Sequence, residues 1–129
     1  YVTDLFANVI SIVNLSSNTI SGSISLNGWS EELVLAYGKA YITNKNSNKV
    51  YVINTLNDVI IDSIIVGYAS NSIREDKNGK LWVLCEGNQS SLKASLHCIN
   101  PITDKVEKSF EFSNTTDNPW RLRTNGGND

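Results

Sequence analysis

The chain repeats itself. The opening stretch "YVTDLFANVISIVNLSSNTISGSI", Tyr1 to Ile24, returns forty residues later as "YITNKNSNKVYVINTLNDVIIDSI", Tyr41 to Ile64. Laying Tyr1 to Ala40 over Tyr41 to Lys80 without a gap gives eight identities: Tyr1/Tyr41, Thr3/Thr43, Asn8/Asn48, Asn14/Asn54, Ile20/Ile60, Ser23/Ser63, Ile24/Ile64 and Ser30/Ser70. Val2/Ile42, Ile10/Val50, Ile12/Val52, Val13/Ile53 and Leu26/Val66 keep their apolar character. A third copy starts at Leu81 with "LWVL". After six residues inserted within Glu86 to Ser95, it resumes at "LHCINPITDKVEKSFEF" with an offset of 46 from the first, so that Asn14, Asn54 and Asn100 coincide. A period near 40 residues belongs to propeller blades or to helical solenoids, in which each unit buries its apolar faces on its neighbours.

The contents of the repeat favour strands. "NVISIVN", "KVYVIN" and "LHCIN" are short, rich in β-branched residues, and followed by turn-forming "LSSN", "TLND" and "PITD". A second apolar run follows each turn, as "TISGSISL", "VIIDSIIV" and "KVEKSFEF". Asn, Asp, Ser and Pro close tight turns through local side-chain hydrogen bonds or a fixed φ, so this is hairpin patterning. No stretch of ten or more residues has helical periodicity. Each repeat reads as four strands, which in the middle of the chain are "SIRED", "YITN" or "LWVL", "VYVIN" and "VIIDSIIV". Val50 and Val52 lie on one side of their strand, Tyr51 and Ile53 on the other. A sheet apolar on both faces needs a neighbour on both, and blades packed radially around an axis supply that.

At "YVTD" (Tyr1 to Asp4), "YITN" (Tyr41 to Asn44) and "VINTLNDVIIDSIIVG" the chain resembles the YVTN-repeat, YncE-like β-propellers of bacterial cell-surface and periplasmic proteins. The resemblance runs over essentially the whole sequence. It departs at "LWVLCEGN" in the third copy, and Pro precedes an inner strand only at Pro119. It implies an all-β fold of about three four-stranded antiparallel blades: a blade remnant over 1–32, blades over 33–72 and 73–118, and the inner strand of a next blade over 119–129. A chain phased in this way, with no Met, is expected to be a piece of a larger propeller; the alternative is a half-propeller closed by a second copy.

Composition narrows the partners. Eleven basic residues against 13 acidic ones give a net charge of −2 without charge runs, which favours neither nucleic acid nor an anionic membrane surface. No apolar run is long enough for a transmembrane helix. What remains is a small polar ligand or another protein, such as an outer-membrane or surface protein.

In such a propeller, the loops leading into the inner strands gather at one mouth. They are "NGWSEE" (Asn27 to Glu32), "GYASNS" (Gly67 to Ser72) and "SNTTDN" (Ser113 to Asn118). Glu31, Asn71 and Asp117 share one slot, and Glu32, Ser72 and Asn118 the next. A partial ring of carboxylates and amides is expected there, with Trp29 and Tyr68 beside it and Trp120 following it. Such a ring suits a polar ligand with a flat face. The insertion "CEGNQSSLKAS" lengthens a loop on the same side.

Catalysis finds no footing in the sequence. The one histidine, His97, falls in the slot of Ser11 and Tyr51, which assigns it to blade packing, and no second ligand stands at metal spacing. No catalytic residue, metal or cofactor is expected. Cys98 is placed opposite Leu81, with Cys85 four residues further along, about 13 Å away at 3.3 Å per residue, so both thiols are expected free. The reading is a non-enzymatic binding or scaffold module of the cell surface or periplasm. A weaker resemblance extends to cobalamin-capturing surface lipoprotein propellers; the rival from another class is an enzyme such as the propeller lactonases, which the lack of a His, Glu and Arg cluster disfavours.

Overall fold

The computed structural model describes residues 1–125. Eleven strands form three antiparallel sheets. Sheet 1 holds β1 (Val2–Asp4), β2 (Val9–Asn14) and β3 (Thr19–Ser25). Sheet 2 holds β4 (Ser30–Ala36), β5 (Lys39–Asn44), β6 (Lys49–Asn54) and β7 (Val59–Ile65). Sheet 3 holds β8 (Ser70–Glu75), β9 (Leu81–Cys85), β10 (Ser95–Asn100) and β11 (Lys105–Glu111). Each sheet is a meander in chain order. The inner strands begin at Ser30 and Ser70, three residues ahead of the expected boundaries at 33 and 73.

Sheet 2 shows why its sequence is apolar on both faces. Tyr41, Val50, Val52, Ile64 and Val66 pack on Ile73, Leu81, Val83, Cys85 and Ile99 of sheet 3. The alternate residues Ala40, Ile42 and Ile53 pack on Ile10, Ile24 and Leu26 of sheet 1. Val50, Val52, Ile42 and Ile53 are wholly shielded from solvent. Each such side chain contributes about 1.5–3 kcal/mol by leaving water, so the two interfaces dominate the stability.

The repeated asparagines close the outer hairpins. Asn14 Oδ1 accepts from Ser16 N at 2.9 Å, Asn54 Oδ1 from Leu56 N at 2.9 Å, and Asn100 Oδ1 from Ile102 N at 3.0 Å. Four residues after each stands Asn18, Asp58 or Asp104, with φ of 54°, 59° and 55°. Asn and Asp tolerate that left-handed conformation better than other side chains. Repeated serines stitch one sheet to the next: Ser30 Oγ donates to the Asp4 carbonyl and Ser70 Oγ to the Asn44 carbonyl, both at 3.2 Å.

The motif tyrosines do the same at the outer side. Tyr1 donates its hydroxyl to Asp58, in the hairpin of the next sheet. Tyr41 donates to Asp104 Oδ1 at 2.6 Å, with the Pro101 carbonyl at 3.0 Å. The sequence separations are 57 and 63, and the six inserted residues account for the difference. Burial, reinforced by the bonded aspartate, pushes the Tyr1 hydroxyl up to about 12 and holds Tyr41 well above the usual tyrosine range. Lys39 Nζ joins the second latch, 2.6 Å from Asp104 Oδ2 and 2.7 Å from the Pro101 carbonyl.

Two expectations shift. The β8–β9 turn is longer than the Tyr37–Gly38 turn of sheet 2: Glu75 pairs with Leu81 across five residues, whereas Leu35 pairs with Ala40 across four. Trp82 rather than Leu81 therefore takes the slot of Tyr41, and Cys98 lies opposite Trp82. Cys85 is then three residues along the partner strand, about 10 Å away and still beyond bridging reach. Both thiols are free and buried, and burial pushes Cys85 up to about 12. The expected strand over 119–129 is not formed within 119–125, and 126–129 fall outside the described residues. Residues 119–122 run beside β8 instead, held by Ser72 Oγ accepting from Leu122 N at 2.9 Å. A strand requires a ladder partner, and among the described residues this segment has none.

Candidate functional site

Bulges shape the mouth. One extra residue interrupts β4 between Ser30 and Leu33, and another interrupts β8 between Ser70 and Ser72. Glu31, Glu32 and Asn71 therefore sit on strand irregularities at matching places, where a bulge redirects side chains away from the regular pleat. Thr43 fixes the first bulge, its hydroxyl accepting from Glu32 N at 2.9 Å and donating to the Glu32 carbonyl at 3.1 Å.

The polar ring is largely engaged within the protein. Glu32 forms a two-point pair with Arg74, at 2.5 and 3.0 Å, and its Oε2 accepts from Ile73 N at 3.3 Å. Arg121 Nε stands 3.9 Å from the same carboxylate. Ser72 is fully buried and donates to Asn71 Oδ1 at 3.0 Å. Asp117 closes its own turn by accepting from Asn114 N at 2.9 Å, and Asn118 is exposed. Glu31 differs: its Oε2 is shielded from solvent and accepts no hydrogen bond among the described residues.

Asn71 instead joins a cycle that the sequence did not signal. Its Nδ2 donates to Glu86 Oε1 at 2.8 Å and to the Trp120 carbonyl at 2.7 Å. Glu86 pairs with Lys45 Nζ at 3.1 Å, and that ammonium stands 4.5 Å from the centroid of the Trp120 ring. Trp120 remains 62% exposed, although its backbone and ring are both held. Trp29 is adjacent through its carbonyl, which accepts from Lys45 N at 2.8 Å, and is 42% exposed. Lys45 and Glu86 come from different sheets, and neither stands in a recognisable motif.

Tyr68 is not part of this cycle. It lines a groove of about 580 Å³ between sheets 2 and 3, together with Ser91 to Lys93 of the insertion and His97. His97 Nε2 accepts from Gly67 N at 2.9 Å, which places the ring proton on Nδ1, facing Ser109 Oγ at 2.9 Å. Burial lowers the His97 pKa from its ordinary 6.5. A base with a depressed folded pKa gives stability that is present above the unfolded pKa and is lost as pH falls through the folded one. Stability should therefore begin to fall as pH drops below about 6.5, ahead of the carboxylates Asp76 and Glu107, whose pKa values lie below the ordinary 3.8 and 4.5. Urea midpoints across pH 4.5 to 7.5, compared with His97→Gln, check this: the variant should lose the slope that opens as pH falls below about 6.5.

A second cavity, of about 470 Å³, lies on the outer face of sheet 3 and includes Trp82, Leu96 and Leu122. Trp82 and Leu96 occupy the slots of Tyr41 and Val50, both buried between sheets 2 and 3. This face is the counterpart of a sheet-packing surface, which is reason enough for its apolar lining.

No protein-family model matches the chain, and no curated protein matches it. Among solved structures, Kuenenia stuttgartiensis hydrazine synthase is similar over 85% of this chain and 31% of its own, with a TM-score of 0.74 and 18% identity. The dihydro-heme d1 dehydrogenase NirN in complex with DHE is similar over 83% of this chain and 24% of its own, with a TM-score of 0.69 and 16% identity. Both are β-propeller proteins, and at these identities the likeness carries fold alone. The chain is an all-β partial propeller of three antiparallel sheets, spanning a third or less of the length of these neighbours.

Proposed function

We propose that this partial propeller is a non-enzymatic binding and scaffold module of a YVTN-type protein of the bacterial surface or periplasm. The supporting observation is Trp120, a residue 62% exposed whose ring lies 4.5 Å from the Lys45 ammonium and whose backbone carbonyl accepts from Asn71. A fixed aromatic plate loses little freedom when a ligand stacks on it, so its exposure favours binding. Trp29 adds a second, partly exposed aromatic residue at the mouth. The combination suits a polar ligand with a broad flat face, and cobalamin capture is the specific form of the reading.

Titrating the protein with cyanocobalamin and following tryptophan fluorescence, corrected for absorption by the ligand, tests that form. Saturable quenching is expected, weakened about tenfold by Trp120→Ala, the equivalent of about 1.4 kcal/mol. An unchanged spectrum sinks cobalamin capture. Turnover of a lactone, with or without calcium, would overturn the non-enzymatic reading.

A further inference from the structure

The two sheet junctions should be alike, because the repeat makes them so, yet they differ at matched positions. Between sheets 1 and 2, the phenol of Tyr51 reaches across and donates to the Asn27 carbonyl at 2.8 Å. Between sheets 2 and 3, His97 takes the place of Tyr51, Gly67 that of Asn27, and Ser95 that of Lys49. All three replacements are smaller, and all three line the same groove. The insertion, the largest departure from the repeat, lines it as well through Ser91, Leu92 and Lys93.

Gly67 keeps the floor low. A Cβ there would stand 2.1 Å from Ser95 Oγ and 2.9 Å from Cys85 Cβ, so the packing has no room for a side chain. The Gly67 N–H sets the His97 tautomer, and His97 Nδ1–H then occupies a lone pair of Ser109 Oγ. The Ser109 hydroxyl hydrogen is left to point elsewhere, and the residue is exposed. Tyr68, a residue 37% exposed, offers its ring to the groove. Lys93 and Glu111 pair at 3.4 Å and cancel one another's charge along the lip.

We propose that this groove binds a neutral pyranose sugar. A pyranose presents an apolar C–H face, which suits the electron-rich face of Tyr68, and hydroxyls that Ser109 and Asn48 can meet. Paired charges at the lip favour a neutral ligand over an anion. The site is separate from the Trp120 rim and does not depend on the function proposed for it.

The test is NMR titration of the isotopically labelled protein with D-glucose, D-galactose, D-mannose and N-acetyl-D-glucosamine. At least one should give saturable shifts confined to the Gly67, Ser95 and Ser109 amides and the His97 ring. His97→Tyr, which restores the residue that Tyr51 supplies at the other junction, should abolish the response. Ser109→Ala should weaken it about fivefold, as expected for one lost hydrogen bond. Trp120→Ala should leave affinity within about twofold, which separates this site from the rim. Absence of a response to all four sugars, shifts that never saturate, or wild-type affinity in Ser109→Ala overturns the proposal; that last variant decides alone if His97→Tyr does not fold.

Discussion

Replacing Asp104 by Asn should cost the fold about 2–3 kcal/mol, seen as a fall in melting temperature of roughly 10 °C. Asn suits the left-handed turn, as Asn18 does at the matching position of sheet 1, so the substitution removes the charge and spares the backbone. What is lost is the anion shared by Lys39 and Tyr41. The Lys39 and Asp104 side chains are 16% and 19% exposed, so the ammonium left behind is only partly solvated. Breaking one side of such a pair costs more than the pair contributes, because the remaining charge keeps its desolvation penalty. Tyr41→Phe should cost about 1–2 kcal/mol, and the double variant should show coupling of about 1 kcal/mol, since Tyr41→Phe removes the hydrogen bond whose charged acceptor Asp104→Asn neutralises. A melting temperature for Asp104→Asn within about 2 °C of the parent would show that the Asp104 charge adds little to the joining of sheets 2 and 3.

That latch also shows what the sequence made legible. Tyr1/Tyr41 appeared as a bare identity between copies, and Asp58 and Asp104 as turn residues. Their pairing across neighbouring sheets gives both recurrences one cause. Ser30/Ser70 and the three asparagines have equally local or repeated partners, so the same repeat that revealed them positions them. The two-sided burial of sheet 2 followed from alternation, and the strand order from the repeat and the turn residues that close each hairpin.

The misses have a common physical origin in features that the repeat does not encode. A single extra residue in the Asp76 to Lys80 turn moved Trp82 into the tyrosine slot, and a one-residue slip reverses the face of every side chain in a strand. Overlaying copies also places residues around an axis without showing who pairs with whom. Glu31, Asn71 and Asp117 share a slot by repeat, yet Asn71 is held by Glu86, Asp117 by Asn114, and Glu31 keeps an oxygen with no partner among the described residues. Tyr68 shares a loop with Asn71 but faces a different opening, because Gly67 and the insertion create a groove there.

Glu32→Ala should be the most damaging change at the mouth, with a loss of about 3 kcal/mol in urea unfolding, and Glu32→Gln should lose about half as much. Glu32 sits on β4 and its partners on β8 and beyond, so it ties the inner strands of sheets 2 and 3 together. Removing it leaves the buried Ile73 N–H without its acceptor and sets Arg74 facing Arg121 with no anion between them. Gln restores an acceptor for Ile73 but no charge, which is why its deficit should be intermediate. The outcome also separates two roles for the ring. A ligand-contact carboxylate that is idle in the free protein is expected to be neutral or stabilising when removed, because function commonly costs stability. A loss of under about 0.5 kcal/mol for Glu32→Ala would return Glu32 to the ligand-binding set, whereas the expected loss confines ligand contact to Trp120 and Trp29.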